Sequence, residues 1–387
     1  VAQLPHLRIA VVSTWPPKVC GIARFSRDLC TALVDLDPHR VSVDYKVLAL
    51  TDPGDQLTFG KEVRVVIPQE DLAAIERAAA WINASGANVV SLQHEFGIWG
   101  GFDGAFVLPF LDHLHIPVLT TFHTVPFSDH AFDREGRLHL LGEIIKRSGH
   151  LVTFLPQARD FLLAHYALDP ARVTMQWHGA PSYPLHDRDE AKQALGLSGR
   201  LVISTMGLLN RFKGIDVALE AVQTLAGEYP DLLYLILGQP HPAEPEGFYP
   251  ALRSAVQRLG IGGQVRFVDH FLSEQEIEQY LAATDIYVTP YRDMSQISSG
   301  TLTRALAAGR LAVSTPYPYA TEALRNGVGV LTPVSDPAAL AETLRPLVAD
   351  AHLREQYDQR AREFAAVLRW DRVATEYAAL AAALVEG

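Results

Sequence analysis

Short β-branched apolar runs alternate with longer helical patterns along the whole chain. In the first half the runs are Leu7–Ser13, Val41–Leu50, Val63–Ile67, Val89–Gln93, Pro117–Phe122, Leu151–Leu155 and Val173–Trp177. Segments with i, i+3, i+4 apolar spacing lie between them, among them Ala73–Ile82 and Leu138–Lys146. This alternation predicts a parallel sheet with crossover helices. The runs are too continuously apolar to have one wet face, so both faces of the sheet are expected to be covered.

The pattern breaks at Gly179–Arg200, which is rich in Pro, Gly and charge and reads as a linker plus a short helix. It restarts at Leu201–Met206 and continues through Leu232–Leu237, Val265–Val268, Ile286–Thr289, Leu311–Ser314 and Gly329–Leu331. Two α/β units follow: residues 1–185 and 186–366, with 367–387 as a terminal element. Within it, Trp370–Val385 is a long Ala/Leu helix with no strand after it, expected to fold back across the first unit. Two facing α/β domains place strand C-termini and helix N-termini around one central cleft, where unpaired N–H groups and helix dipoles meet a ligand. The search for chemistry therefore narrows to the loops that follow strands.

Composition adds exclusions. Across 387 residues, 48% are apolar and 20% charged, a globular balance that rules out a disordered or collagen-like chain. With 33 basic and 44 acidic residues the net charge is −11, which argues against nucleic acid and against a polybasic membrane dock. A local patch can differ from the net charge, so a basic pocket for a small phosphate and peripheral membrane contact both stay open. The two cysteines, Cys20 and Cys30, build neither a disulfide framework nor a zinc site, and a cytoplasmic chain is expected. The opening VAQLPHLRIAVVST has no basic region followed by an apolar run, and no run approaches a transmembrane span. No motif speaks to the oligomeric state.

Five loops could carry chemistry. After the first strand, Ser13–Phe25 holds two prolines and then Gly21 at a helix start, where a glycine lets a ligand or a backbone come close. After the fourth, Gln93–Gly101 packs His94, Glu95, Trp99 and three glycines. An imidazole beside a carboxylate can position a hydroxyl or shuttle a proton, the alternative being a capped turn with His94 on the backbone. Thr120–Pro126 places His123 at a strand end, pointing to the cleft or satisfied in the core. His178 follows a later run, nearer the linker. In the second half, Gly207–Gly214 carries Arg211 and Lys213 just before the helix Ile215–Ala226, a pairing that suits an anionic group such as a diphosphate. Tyr291–Thr301 then leads into a short helix ended by Gly309, which Ser298 or Ser299 can cap. The N–H groups of Ser299, Gly300 and Thr301 are orphan donors at its positive end, a second anion seat. No acidic pair has convincing metal-ligand spacing, and Asp35-Leu36-Asp37 reads as solvated. G-x-S-x-G, Walker A and G-x-G-x-x-G motifs are all missing.

On these loops the chain resembles retaining glycosyltransferase family 4, of the GT-B fold, over nearly its whole length. GLLNRFKGIDVALEA is similar to that family's Gly–basic–Lys-Gly phosphate loop. ALAAGRLAVSTPYPYATEAL is similar to its "EAMACGxPVVAS…E" segment, and the terminal Trp370-Asp371 helix matches as well. The QHEFGIWGG and TTFHTV loops resemble those of a bacterial subgroup. The resemblance implies hexose transfer from a sugar nucleotide to a carbohydrate or other hydroxyl acceptor, with retained anomeric configuration and no metal or other cofactor. It implies that Arg211 and Lys213 hold the diphosphate, that His123 contacts the donor sugar near the reacting carbon, and that Gly21 lies against the phosphates. Ser298, Ser299, Gly300 and Thr301 would bind phosphate or sugar hydroxyls. His94, Glu95, Trp99 and His178 are the acceptor-side candidates.

Two departures matter. The family's phosphate-loop arginine directly follows the first glycine, where this chain has Leu208, so Arg211 is an inferred substitute. Two family glutamates eight positions apart fall on Gln296 and Arg304. Gln296 can still bond sugar hydroxyls, but a guanidinium has no acceptor for a ribose diol, although it can grip a phosphate. A glycoside phosphorylase using inorganic phosphate on Arg211, Lys213 and Arg304 is therefore an alternative. A non-catalytic sugar-binding paralogue is another, and a sugar-nucleotide epimerase ranks below both.

Overall fold

The computed structural model describes residues 6–127, 133–242 and 244–387. They divide into two compact units. The first runs to Gly179 and is taken up again over Trp370–Gly387, and the second is Ala180–Arg369.

The first unit is built on seven strands: β1 (His6–Ser13), β2 (Ser42–Thr51), β3 (Val63–Pro68), β4 (Val89–His94), β5 (Val118–Phe122), β6 (His150–Thr153) and β7 (Val173–Met175). All pair in parallel, in the order β3-β2-β1-β4-β5-β6-β7. The second unit holds β8 (Leu201–Met206), β9 (Leu232–Leu237), β10 (Val265–Val268), β11 (Ile286–Thr289), β12 (Ala312–Ser314) and β13 (Val330–Leu331). These are also parallel, in the order β10-β9-β8-β11-β12-β13. In each unit the order reverses beside the first strand, between β1 and β4 and between β8 and β11. Such switch points open a crevice at the strand C-termini of doubly wound α/β sheets.

Burial explains the sequence pattern. Every residue of β4, β9 and β11 is buried, because helices cover both faces of these inner strands. The edge strand β3 instead buries only Ile67 and leaves its other residues half-buried or exposed, and β10 is only partly covered. The expectation of full coverage thus fails at edges, where a neighbour is missing. β6 and β7 also end two residues earlier than their apolar runs, and Phe154 and Leu155 are buried by packing rather than by pairing. The helix Pro156–His165 starts immediately afterwards, at a residue without an N–H to give.

The helix Gly21–Val34 buries Ala23, Phe25, Ser26, Leu29, Cys30 and Leu33, a stripe at helical spacing. Covering each large apolar side chain contributes roughly 1.5–3 kcal/mol. The terminal helix Trp370–Glu386 lies against Gly21–Val34 and buries Val373, Ala374, Tyr377, Ala378 and Ala381. Tyr377 Oη meets Thr121 Oγ1 of β5 at 3.0 Å, tying this helix to the sheet. Trp370 closes the packing by lying on Gly179: a Cβ there would sit 2.2 Å from the indole. Gly179→Ala is therefore expected to destabilise the first unit by about 1–3 kcal/mol through overpacking, read as a lower urea midpoint. An unchanged midpoint would mean that the indole can step aside.

Candidate functional site

In the second unit the loop after β8 begins at Gly207, with φ 135°, and ends at Gly214, with φ 62°. Between them the Asn210 side chain accepts from Phe212 N and starts the 3-10 turn Arg211–Lys213. Gly214 then enters the helix Ile215–Ala226. A Cβ on Gly214 would sit 1.9 Å from the Pro290 carbonyl oxygen, so only a glycine lets this turn lie against the end of β11. The two loops are also braced by Arg292. Its backbone N–H donates to Phe212 O (2.8 Å), and its guanidinium donates to Arg211 O (3.1 Å) and Asp216 (2.6 Å).

This bracing puts Lys213 beside the second anion seat. Lys213 Nζ donates to Tyr291 Oη at 2.7 Å and lies 4.1 Å from the centre of the same ring. Tyr291 Oη meets Thr301 Oγ1 at 2.9 Å, in the first turn of the helix Gly300–Ala307. Ser299 caps that helix, its side chain accepting from Leu302 N. Gly207 completes the group, for a Cβ there would touch both Thr301 and Lys213 Nζ. Among the described residues no carboxylate pairs with Lys213, and burial alone pushes its pKa down to about 8. A partly desolvated ammonium beside the positive end of a helix suits an anionic group.

The remaining second-unit candidates are placed differently. Arg211 is largely exposed, and its guanidinium pairs with Glu244 at 3.2 Å, not with the Lys213 cluster. Arg304 is 5% exposed, with its guanidinium bonded to Glu274 (2.5 Å) and to Tyr183 Oη (3.1 Å). A cation so engaged carries little free charge to offer a phosphate. Gln296 and Ser298 are half-buried in the loop leading to Ser299.

In the first unit His123 leaves β5 with 7% exposure, between Phe25 (5.0 Å) and Phe154 (5.2 Å). Gln93 Nε2 donates to Ser91 Oγ, which turns Gln93 Oε1 toward His123 Nε2 at 3.0 Å. That orientation makes Nε2 the protonated nitrogen and leaves Nδ1 as an acceptor. Burial pushes the His123 pKa down to about 3, helped by His178 and His94. His123 is thus a neutral hydrogen-bonding group, not a proton reservoir. His178 shares its aromatic surroundings, packing on Phe25 (4.9 Å) and Trp370 (6.1 Å).

The loop after β4 is more closed than expected. His94 is fully buried between Phe96 and Phe122, neither ring nitrogen has a partner among the described residues, and burial pushes its pKa down to about 3. Trp99 is 3% exposed, with its ring against Phe110 and its N–H without a partner among the described residues, so it presents no face to a ligand. Glu95 accepts from Thr124 Oγ1 (2.6 Å) and Phe96 N (2.9 Å), and burial raises its pKa against those bonds. Gly21 begins a helix whose N-cap, Cys20, supplies no side-chain bond, and the space beside Gly21 is open. The first unit therefore offers an uncapped helix start and a neutral imidazole near one switch point.

The two histidines give a pH signature. An unfolded imidazole titrates near its ordinary value of 6.5, well above the folded value. Below about pH 6.5 the unfolded chain takes up protons that the folded one refuses, so stability falls as pH drops toward 3. The expected loss is on the order of 2 kcal/mol per histidine by pH 4.5. His94→Leu should remove one such share from the difference between urea unfolding at pH 7.5 and pH 4.5. A variant with the wild-type pH dependence would contradict a neutral, buried His94.

Residues 200–350 match the family model described as "Glycosyl transferases group 1". The matched span lies within the second unit. Curated relatives include the D-inositol 3-phosphate glycosyltransferases of Corynebacterium efficiens, 27% identical over 290 residues, and Streptomyces coelicolor, 28% identical over 284. The matches take in 70% and 65% of this chain and 66% and 59% of those proteins, so the chain spans less than two thirds of their length. Among solved structures, sucrose-phosphate synthase from Thermosynechococcus elongatus superposes with a TM-score of 0.76 at 20% identity, over 97% of this chain and 98% of that one. Anabaena HepE in complex with UDP gives 0.75 at 14% identity, over 97% and 99%. At such identities the likeness shows the fold: two Rossmann-like parallel-sheet domains, as in GT-B glycosyltransferases. The Lys213 cluster lies inside the matched span.

Three partners lay outside the reach of the sequence: Tyr291 for Lys213, Gln93 for His123 and Glu274 for Arg304. Each is a polar residue at or just after a strand end or at a helix start, but nothing local ties it to its partner. Among the described residues no group of three His, Cys, Asp or Glu side chains could hold a metal ion, and no helix is long and apolar enough to cross a membrane.

Proposed function

We propose that this chain is a retaining glycosyltransferase that moves a hexose from a nucleotide-diphosphate sugar to a hydroxyl acceptor, on a sugar or another carrier. The observation that carries the reading is the Lys213 ammonium, held by a phenol and without a carboxylate partner among the described residues, beside the start of the helix Gly300–Ala307. A departing diphosphate gains negative charge as the glycosidic bond breaks. A fixed cation and oriented N–H groups stabilise that charge more than they stabilise the bound donor, which lowers the barrier. Lys213, Ser299, Gly300 and Thr301 supply this positive end, with no resident metal in the scheme. The acceptor hydroxyl attacks from the face the diphosphate leaves and passes its proton to the departing phosphate oxygen, so configuration is retained. In the first unit, taken by itself, neutral His123 offers Nδ1 to a sugar hydroxyl, and Gly21 leaves open space at an uncapped helix start. Glu95 and His178 are the candidates left for the acceptor side, since His94 and Trp99 are interior.

The engagement of Arg304 with Glu274 and Tyr183 weighs against the phosphorylase alternative, which needed that guanidinium for inorganic phosphate. Incubation with a panel of sugar nucleotides and simple glycoside acceptors tests the proposal, with product configuration read by NMR. Hexose transfer with retention is expected. Absence of both transfer and nucleotide binding would favour a non-catalytic paralogue, and sugar 1-phosphate release from disaccharides on adding phosphate would favour a phosphorylase.

A further inference from the structure

Lys213 has an unusual partner for a half-buried amine. Its nearest polar atom is a neutral phenol, Tyr291 Oη, and the same ring offers its face to the ammonium. That phenol is itself fixed. Thr301 Oγ1 holds its oxygen, and Tyr317 stacks on its ring with centroids 5.3 Å apart and planes 13° from parallel. Tyr291 and Tyr317 are both fully buried. The charged side chains nearest in the loops are committed elsewhere, Arg211 to Glu244, and Arg292 to Asp216.

A carboxylate in this place would hold Lys213 charged but would repel an incoming phosphate, and the ion pair would have to be broken. No partner at all would leave a desolvated ammonium too costly to keep. A phenol lies between these limits. Its oxygen accepts from the ammonium and its π face attracts the cation, yet it carries no charge to compete with an anion. Through Thr301 the same oxygen fixes the amine relative to the helix start. From this geometry we infer that Tyr291 is a positioning residue that keeps Lys213 in place and charged at the anion seat. It does not touch the reacting atoms. The consequence for catalysis rests on the donor-diphosphate reading, whereas the Lys–Tyr coupling stands by itself.

The chain has six lysines, so labelling with lysine carrying 13C at Cε gives few NMR signals, and Lys213→Arg identifies the one that matters. In the full-length wild type the Lys213 signal is expected to titrate about 8. Tyr291→Phe keeps the ring and removes the acceptor, which destabilises the ammonium and moves the midpoint lower. Affinity for inorganic pyrophosphate at pH 7.5, measured by calorimetry, should fall about tenfold, the size of one hydrogen bond to a charged group. The pH at which pyrophosphate binding is half lost should move down with the amine. If Tyr291→Phe fails to fold, Thr301→Val leaves the phenol and removes its anchor. A lowered Lys213 midpoint and weaker pyrophosphate binding are again expected. A folded Tyr291→Phe protein with the wild-type Lys213 midpoint overturns the inference. A wild type that binds neither pyrophosphate nor UDP, while Tyr291→Phe still lowers the midpoint, supports the coupling and overturns the donor reading instead.

Discussion

Lys213→Met is expected to lower sugar transfer by about 10²–10³-fold, the usual loss when one preorganised charge-stabilising donor leaves a reaction centre. The fold should survive. Lys213 has no carboxylate partner among the described residues, and its amine carries a desolvation cost that methionine of similar length removes. Stability is therefore expected to stay the same or to rise by about 1 kcal/mol. That combination separates a binding role from a structural one. A lysine that merely held the loop together would show the reverse, a lowered thermal midpoint with activity falling in proportion. Steady-state rates and a melting curve on the same preparation decide between the two.

The second large effect belongs to Gly214. A non-glycine residue at φ 62° costs about 1–2 kcal/mol in backbone strain. Far more comes from the Cβ, which would sit 1.9 Å from Pro290 O and 2.9 Å from Pro290 C. The obstacle is backbone at the end of a fully buried strand, so it cannot swing aside as a side chain can. Gly214→Ala should cost about 3–5 kcal/mol, the range reserved for strain and overpacking at a special backbone position. If the chain stays folded, the Arg211–Lys213 turn must lift away from β11. The Lys213–Tyr291 bond then goes with it, and nucleotide affinity falls alongside stability. A control at Gly196, also at positive φ (65°) but with open space around its Cβ, should lose only the backbone share. Urea unfolding of the two variants checks the contrast, and equal losses would show that the approach to Pro290 is not tight.

The fold could be read from the sequence because the inner strands are buried on both faces, which leaves continuous apolar runs such as Leu232–Leu237 between helical segments. Where that condition lapses, at β3 or at the ends of β6 and β7, the reading loses accuracy. The loops were legible for a related reason, since a doubly wound sheet fixes which end of each strand faces a ligand. What a local pattern could not supply was the partner of each polar side chain. Lys213 and Arg211 looked equivalent as two cations in one turn. Contacts 78 and 33 residues away separate them, Tyr291 leaving the first uncompensated and Glu244 neutralising the second. The same holds for Arg304, whose charge is taken up by Glu274 from a neighbouring helix 30 residues distant. Trp99 and His94 stood in a loop of unusual composition, yet burial made them part of the interior. Polarity marks a residue as chemically able, and only packing decides whether its chemistry faces outward.

The central claim is that a lone ammonium at the head of a short helix receives the diphosphate of a donor. Calorimetric titration of UDP into the wild-type protein and Lys213→Met at pH 7.5 addresses it most directly. Saturable binding by the wild type, weakened at least tenfold in the variant while both melt at similar temperatures, is the expected outcome. Equal affinity in the two proteins, or no heat of binding in either, would contradict it.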